Sequence, residues 1–304
     1  MIETFQRTLP NGITLSCRAS GTPGRPLMVF LHGFPEGAFI WDELLEHFAQ
    51  PAHGGYRCVA PNLRGFERSS APAAVRDYRP HLLVQDVREL AATESADVTI
   101  DTLIAHDWGG AFGWGFANAF PQALRRLVIL NSPHPGTFAR ELRDNPAQRE
   151  ASAYMNFLAR PDAPSLLAED DYRRLWPFFT LMGAGPEGHG WLTEAVKDRY
   201  RALWDAGLAG ACNLYAVTPL KPPHEGGATE DIPLLPRDRL TVDMPTLVLW
   251  ALDDTALLPG LLDGLDDYVP KLDLVKVPGA THWIVHEQPQ RVIDEIAGFV
   301  RRTQ

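Results

Sequence analysis

Asp107 stands at the centre of Ala105-His106-Asp107-Trp108-Gly109-Gly110, with alanine two residues before it and glycine two residues after it. The segment falls between an apolar run over residues 99–105 and a helical pattern over 110–120. Small residues at this spacing allow a sharp strand-to-helix turn that lifts the central side chain above the sheet. An Asp at a helix start also serves as a plain cap, but a cap does not require small residues on both sides. A carboxylate so placed is a nucleophile towards carbon. It becomes an alkyl ester where a serine would become an acyl ester. The positive end of the following helix favours the ionised form that attack requires. Clearing that ester needs a base, a partner that orients the base, and N–H donors for an oxyanion.

His282, in Gly279-Ala280-Thr281-His282-Trp283, is the candidate base, and it follows the last strand expected in the chain. His286, four residues on, falls at the start of a helical turn and reads as a surface or packing histidine. The orienting acid is sought after the apolar run 246–250, where Asp253 and Asp254 are adjacent. The spacing from Trp250 and Leu257 favours Asp254, leaving Asp253 as a solvated loop residue. His32-Gly33-Phe34-Pro35 ends another apolar run, Leu27–Leu31. The backbone N–H groups of Phe34 and Trp108 are the candidate oxyanion donors, so turn geometry matters there more than side-chain identity.

Positioning these groups requires a sheet. Residues 2–8 and 13–19 read as strands joined by a turn containing Asn11-Gly12, a hairpin signal. The short, wholly apolar run Leu27–Leu31 reads as a strand covered on both faces, and Arg57–Pro61, 99–105, 127–130, 246–250 and Leu272–Val277 read as further strands. Helical patterns at 39–48, 80–92, 110–120 and 260–268, and a closing helix at Pro289–Arg302, lie between or after them. Alternation of this kind implies a mostly parallel sheet flanked by helices. It breaks from about 133 to 240, where helices near 138–144, 148–159, 169–179 and 192–208 are expected and no buried strand is. The organisation read here is a core of residues 1–132 and 240–304 with a helical cap over 133–239, placed above the carboxyl ends of the strands.

Composition narrows the functional classes. The chain has 304 residues, 45% of them hydrophobic, and a formal net charge of −10 from 28 Lys and Arg against 38 Asp and Glu. That length supports a large core. An acidic chain without a basic run is a poor partner for nucleic acid or an anionic membrane. Three scattered cysteines, Cys17, Cys58 and Cys212, fit neither a disulfide framework nor a Cys-rich zinc site, and suit a reducing compartment. The first residues lack the apolar core of a secretion signal. A cytoplasmic location is therefore expected, with a small apolar molecule as partner. Neither a metal nor an organic cofactor is called for, and a homodimer is left open.

The chain resembles the α/β-hydrolase superfamily and, within it, the epoxide hydrolases. His32–Pro35 matches their HGFP motif and His106–Gly110 their HDWGG motif, while Asp254 and His282 match the other two triad positions in the order that fold imposes. The resemblance implies an α/β-hydrolase fold with an inserted helical cap. It also implies two cap tyrosines that hydrogen-bond an epoxide oxygen. Tyr154, in Tyr154-Met155-Asn156-Phe157-Leu158-Ala159-Arg160-Pro161, and Tyr215, in Asn213-Leu214-Tyr215, fall at the matching places. Ala216 stands where an arginine is usual. Ring opening produces an alkoxide, and a phenol, neutral up to a pKa of about 10, can protonate it.

The implied reaction converts an epoxide to a vicinal diol through an ester on Asp107, with Trp108, Phe34 and Phe157 against the substrate. Haloalkane and haloacid dehalogenases share the Asp nucleophile and form the alternative. Phe34, however, offers no halide donor, and Trp108 and Ala111 occupy the places where a haloacid enzyme sets its carboxylate-clamping arginines. A non-catalytic receptor or scaffold of the same fold is the third reading, less favoured because every triad member is present.

Overall fold

The computed structural model describes residues 1–224 and 226–304. Its eight strands are β1 (Glu3–Thr8), β2 (Thr14–Ser20), β3 (Leu27–Leu31), β4 (Arg57–Pro61), β5 (Ile100–His106), β6 (Leu124–Leu130), β7 (Thr246–Ala251) and β8 (Leu272–Val277). They form one sheet in the order β1-β2-β4-β3-β5-β6-β7-β8. β2 runs antiparallel to both β1 and β4, and every pairing from β4 through β8 is parallel. The fold is that of an α/β hydrolase. Strands β3, β4, β5 and β7 are buried at every residue, as a sheet covered on both faces requires; the charged Arg57 and Asp101 at the starts of β4 and β5 are paired with Glu94 and Arg126.

The helices are α1 (Asp42–Ala49), α2 (Pro80–Glu94), α3 (Trp108–Ala119), α4 (Pro135–Asp144), α5 (Pro146–Ala151), α6 (Tyr154–Leu158), α7 (Ala163–Tyr172), α8 (Trp176–Thr180), α9 (Glu194–Trp204), α10 (Ala209–Val217), α11 (Ile284–Glu287) and α12 (Pro289–Arg302). Leu44, Leu45 and Phe48 of α1 pack with Val292, Ile296 and Phe299 of α12 on one side of the sheet. Leu83, Val87 and Leu90 of α2 pack with Phe112 and Phe116 of α3 on the other. Helices α4 to α10 occupy the interval between β6 and β7. Among the described residues, no helix is long and apolar enough to cross a membrane.

Four sequence expectations need correction. The helix read over 260–268 is two short 3-10 turns, Pro259–Leu262 and Leu265–Asp267, parted by Gly264 in the left-handed region at φ 68°. The helix read over 148–159 is two, α5 and α6, interrupted at Ser152-Ala153. The helix read over 169–179 does not run through, because Glu169, Asp170 and Asp171 have non-helical backbone angles and a separate helix begins at Trp176. The helix read over 192–208 stops at Trp204, with Gly207 in the left-handed region at φ 119°, and α10 follows it. α10 escaped notice because it is apolar nearly all round: Gly210, Ala211, Cys212, Leu214 and Tyr215 are all buried. An enclosed helix shows no amphipathic period for sequence reasoning to find.

Candidate active site

The turn after β5 is as tight as its composition implies. Asp107 has φ 50° and ψ −121°, a strained backbone that persists only when its surroundings enforce it. The glycines around it have no room for a side chain. A Cβ at Gly33 would lie 2.2 Å from Asp107 Oδ1, one at Gly109 2.4 Å from the Leu31 carbonyl, and one at Gly110 2.3 Å from Ser132 Cβ. Ser132 Oγ donates to the Asp107 carbonyl at 2.7 Å, holding the turn from the end of β6.

The two oxygens of the Asp107 carboxylate have different surroundings. Oδ1 accepts the backbone N–H of Phe34 at 2.7 Å. Trp108 is the first residue of α3, so its N–H has no acceptor within the helix. Oδ2 lies 3.7 Å from His282 Nε2. The other nitrogen of that ring, Nδ1, is 2.7 Å from Asp254 Oδ2. Asp254 is anchored in turn, its Oδ1 accepting the N–H groups of Ala256 and Leu257 at 2.8 and 3.0 Å and its Oδ2 that of the Asn131 amide at 2.8 Å. Asp253, by contrast, is exposed.

Electrostatics follow from burial. Burial opposes a charge on His282, but Asp254 first, then Asp107 and Glu36, outweigh it and raise its pKa to about 9. Burial likewise opposes the charge on Asp254, and the facing imidazole overcomes it, holding the carboxyl below its usual range. Tyr154 and Tyr215 are both shifted well upward, chiefly by burial and further by the Asp107 charge. Both are neutral phenols at any working pH.

Tyr154 comes from the start of α6 and Tyr215 from near the end of α10, and their rings are 6.1 Å apart. Tyr215 packs edge-on against Phe34 at 5.3 Å and Trp108 at 5.1 Å. Both tyrosines line the space in which Asp107 lies. The structure thus brings together Asp107, Asp254, His282, Tyr154, Tyr215, Phe34 and Trp108. Phe157 is the exception. It lies outside the lining of that space and sits beneath the Arg160 guanidinium, 5.9 Å from the ring centre. The i, i+3 spacing places it on the same side of α6 as Tyr154, one turn further along, where it packs against the apolar core and does not reach the carboxylate. Phe138, Met155 and Phe178 line the space instead.

A profile of the alpha/beta hydrolase fold matches residues 26–289. The chain belongs to the alpha/beta hydrolase family. Within the family, this hydrolase falls among the epoxide hydrolases. It is 30% identical to epoxide hydrolase 3 of Xenopus tropicalis, over 98% of this chain and 77% of that protein. It is also 30% identical to the AB hydrolase superfamily protein YfhM of Bacillus subtilis, over 96% of both. Among solved structures it is similar to an epoxide hydrolase of Bacillus megaterium bound to an inhibitor, with a TM-score of 0.87 and 29% identity over 98% of this chain and all of that one.

Sequence reasoning missed a second polar cluster behind the triad. Glu36, 1% exposed, follows Pro35 directly. Its Oε2 is 3.1 Å from His106 Nδ1, and His106 Nε2 is 2.8 Å from the His282 carbonyl oxygen. Its Oε1 accepts the Tyr200 hydroxyl of α9 at 2.9 Å and faces His286 Nε2 at 2.8 Å. His286 is therefore neither a surface nor a purely packing residue: it is a polar partner of a buried carboxylate, with Trp191 stacked on its ring at 4.1 Å. Burial opposes the Glu36 charge, and hydrogen bonds from His106 and His286 outweigh it, holding its proton affinity low. Trp204, one turn beyond Tyr200, donates its indole N–H to the Pro35 carbonyl at 2.7 Å. The signal available in the sequence was a lone acid directly after an apolar strand and a buried turn.

Proposed function

We propose that this hydrolase opens epoxides to vicinal diols in two steps through an ester on Asp107. In the first, an Asp107 oxygen attacks a ring carbon while Tyr154 and Tyr215 donate to the epoxide oxygen and one of them yields its proton to the alkoxide. In the second, neutral His282 takes a proton from water as that water attacks Asp107 Cγ and returns it to the leaving oxygen as the ester C–O bond breaks; the water's other proton, left on the Asp107 carboxyl, goes back to the tyrosinate, so carboxylate, imidazole and phenol are all restored as the diol leaves. The division of the carboxylate supports this course. With Oδ2 as the attacking oxygen, Oδ1 becomes the ester carbonyl already bonded to the Phe34 amide, where charge develops during hydrolysis.

The observation that carries the proposal is the convergence of two neutral phenols, Tyr215 buried and Tyr154 half-buried, on the space holding the carboxylate. A halide leaves as a stable anion and needs no proton, whereas an alkoxide does. The proposed setting is a cytoplasmic one, with an apolar small molecule as the partner and the helices between β6 and β7 acting as a cap over the site. The purified protein, offered matched epoxides and alkyl halides, should form diol and release no halide. Halide release without diol would establish the dehalogenase reading, and neither product would favour a receptor.

A further inference from the structure

Asp107, Tyr154 and Tyr215 line two cavities at once. The first runs past Trp108 to Pro135, Phe138, Met155, Leu220 and Leu257 and measures about 100 Å³. Phe138 and Leu220 back it onto the small apolar cluster of Ala139, Leu142 and Ile232, so its far wall is packed protein. The second runs past His282 between Pro177, Phe178, Met182 and Trp283, measures about 230 Å³, and reaches Leu181, which is 83% exposed. Among the described residues, no arginine or lysine lines either cavity.

We propose that the substrate is a neutral internal epoxide, substituted on both ring carbons, with a short aliphatic arm in the cavity beside Trp108 and a longer or aromatic arm in the cavity beside His282. The inference rests on the epoxide reading above. The three residues that hold the ring are the three that the cavities share, so substituents on its two carbons can enter different cavities. Size then distinguishes the arms. A dry cavity of about 150 Å³ accommodates benzene. A space of about 100 Å³ therefore takes a few methylenes and no ring, while about 230 Å³ takes a ring or a longer chain. Charge narrows the class further. A carboxylate on the short arm would be buried with no cation in the lining, which strongly opposes binding, and an ammonium there would pair with Asp107 and occupy the nucleophile.

The test compares kcat/KM for styrene oxide, its trans β-methyl and β-propyl homologues, and stilbene oxide. Values should rise about threefold per added methylene up to the propyl arm, then fall at least tenfold for the second phenyl of stilbene oxide. Ala111 lines the first cavity and not the second. Ala111→Leu should cut the propyl homologue at least tenfold while leaving styrene oxide within twofold. Ala151→Leu, on the wall of the second cavity, should lower both. Stilbene oxide turned over as well as the propyl homologue, or a propyl-to-hydrogen ratio unmoved by Ala111→Leu, would overturn the inference and leave epoxide hydrolysis standing. If Ala111→Leu does not fold, Leu257→Ala decides: stilbene oxide should gain at least fivefold, and no gain overturns the inference. Failure of every epoxide in the wild type would remove the underlying reading, and this one with it.

Discussion

His282 Nε2 stands 3.7 Å from Asp107 Oδ2, beyond hydrogen-bond reach, while its Nδ1 is 2.7 Å from Asp254. A serine nucleophile would need the base in contact, because its proton must leave as it attacks. A carboxylate needs no such help. The base is free to address a water on the ester carbon, so the gap fits a nucleophile that is already ionised.

Removing the hydroxyls of Tyr154 and Tyr215 should impair the first step alone. The double change to Phe should slow epoxide opening about 10²- to 10⁴-fold, the range ascribed to a positioned acid, while each single change costs less because one phenol remains. Rapid-mixing fluorescence, with Trp108 beside the reacting carboxylate, reads this step directly. Turnover unchanged in the double variant would contradict the assignment.

The imidazole of His282 should titrate near 9 in the free protein, against an ordinary 6.5, and lower in Asp107→Asn, which removes one of the charges that raise it. Ester formation removes the same charge, so the base is released as the intermediate forms, and ester hydrolysis should quicken with rising pH through an apparent pKa below 9. The stability consequence has a definite sign. A proton bound more tightly in the folded state stabilises it fully below pH 6.5, and that contribution is lost as pH rises through about 9. Histidine NMR titration checks the first statement, and thermal melts across that range check the last.

Glu36→Gln should shift the pH profile of ester hydrolysis towards acid, since Glu36 is among the charges raising His282. It should also destabilise the fold by about 1–3 kcal/mol through a buried network left imperfectly satisfied. Tyr200→Phe retains the carboxylate, so it should lower the melting temperature without moving the pH profile. A pH profile that does not differ between wild type and Glu36→Gln would show that the carboxylate is structural only.

Gly33→Ala places a methyl group 2.2 Å from Asp107 Oδ1, displacing the nucleophile from the Phe34 amide. Misplacement on the scale of an ångström costs about 10²-fold in rate. The methyl also meets Asp107 Cβ at 2.3 Å, so the turn itself must give, and the variant should lower the melting temperature and lose at least that much kcat. Full activity would mean that the carboxylate does not react from its observed position.

Legibility in the sequence tracked the physical origin of each feature. Leu27–Leu31 was readable to the residue, because a strand buried on both faces is a continuous apolar run between turn signals. Asp107 was readable because a strained turn restricts its neighbours to small residues. Asp254 was separable from Asp253 by spacing, and the geometry separates them by burial. α10 was not readable, because an apolar helix carries no period, and Phe157 was misplaced because spacing does not say how far along a short helix the site reaches. The Glu36 cluster was invisible for a different reason. Its members, Glu36, His106, Tyr200 and His286, are far apart in the chain and meet only through tertiary packing.

One turnover in heavy-oxygen water tests the central claim most directly. With enzyme in excess over epoxide, the first diol formed should carry no label from solvent, and proteolysis with mass spectrometry should find one heavy oxygen on Asp107. Label in that first diol, with Asp107 unlabelled, would mean that water attacks the ring itself, and the covalent ester would have to be abandoned.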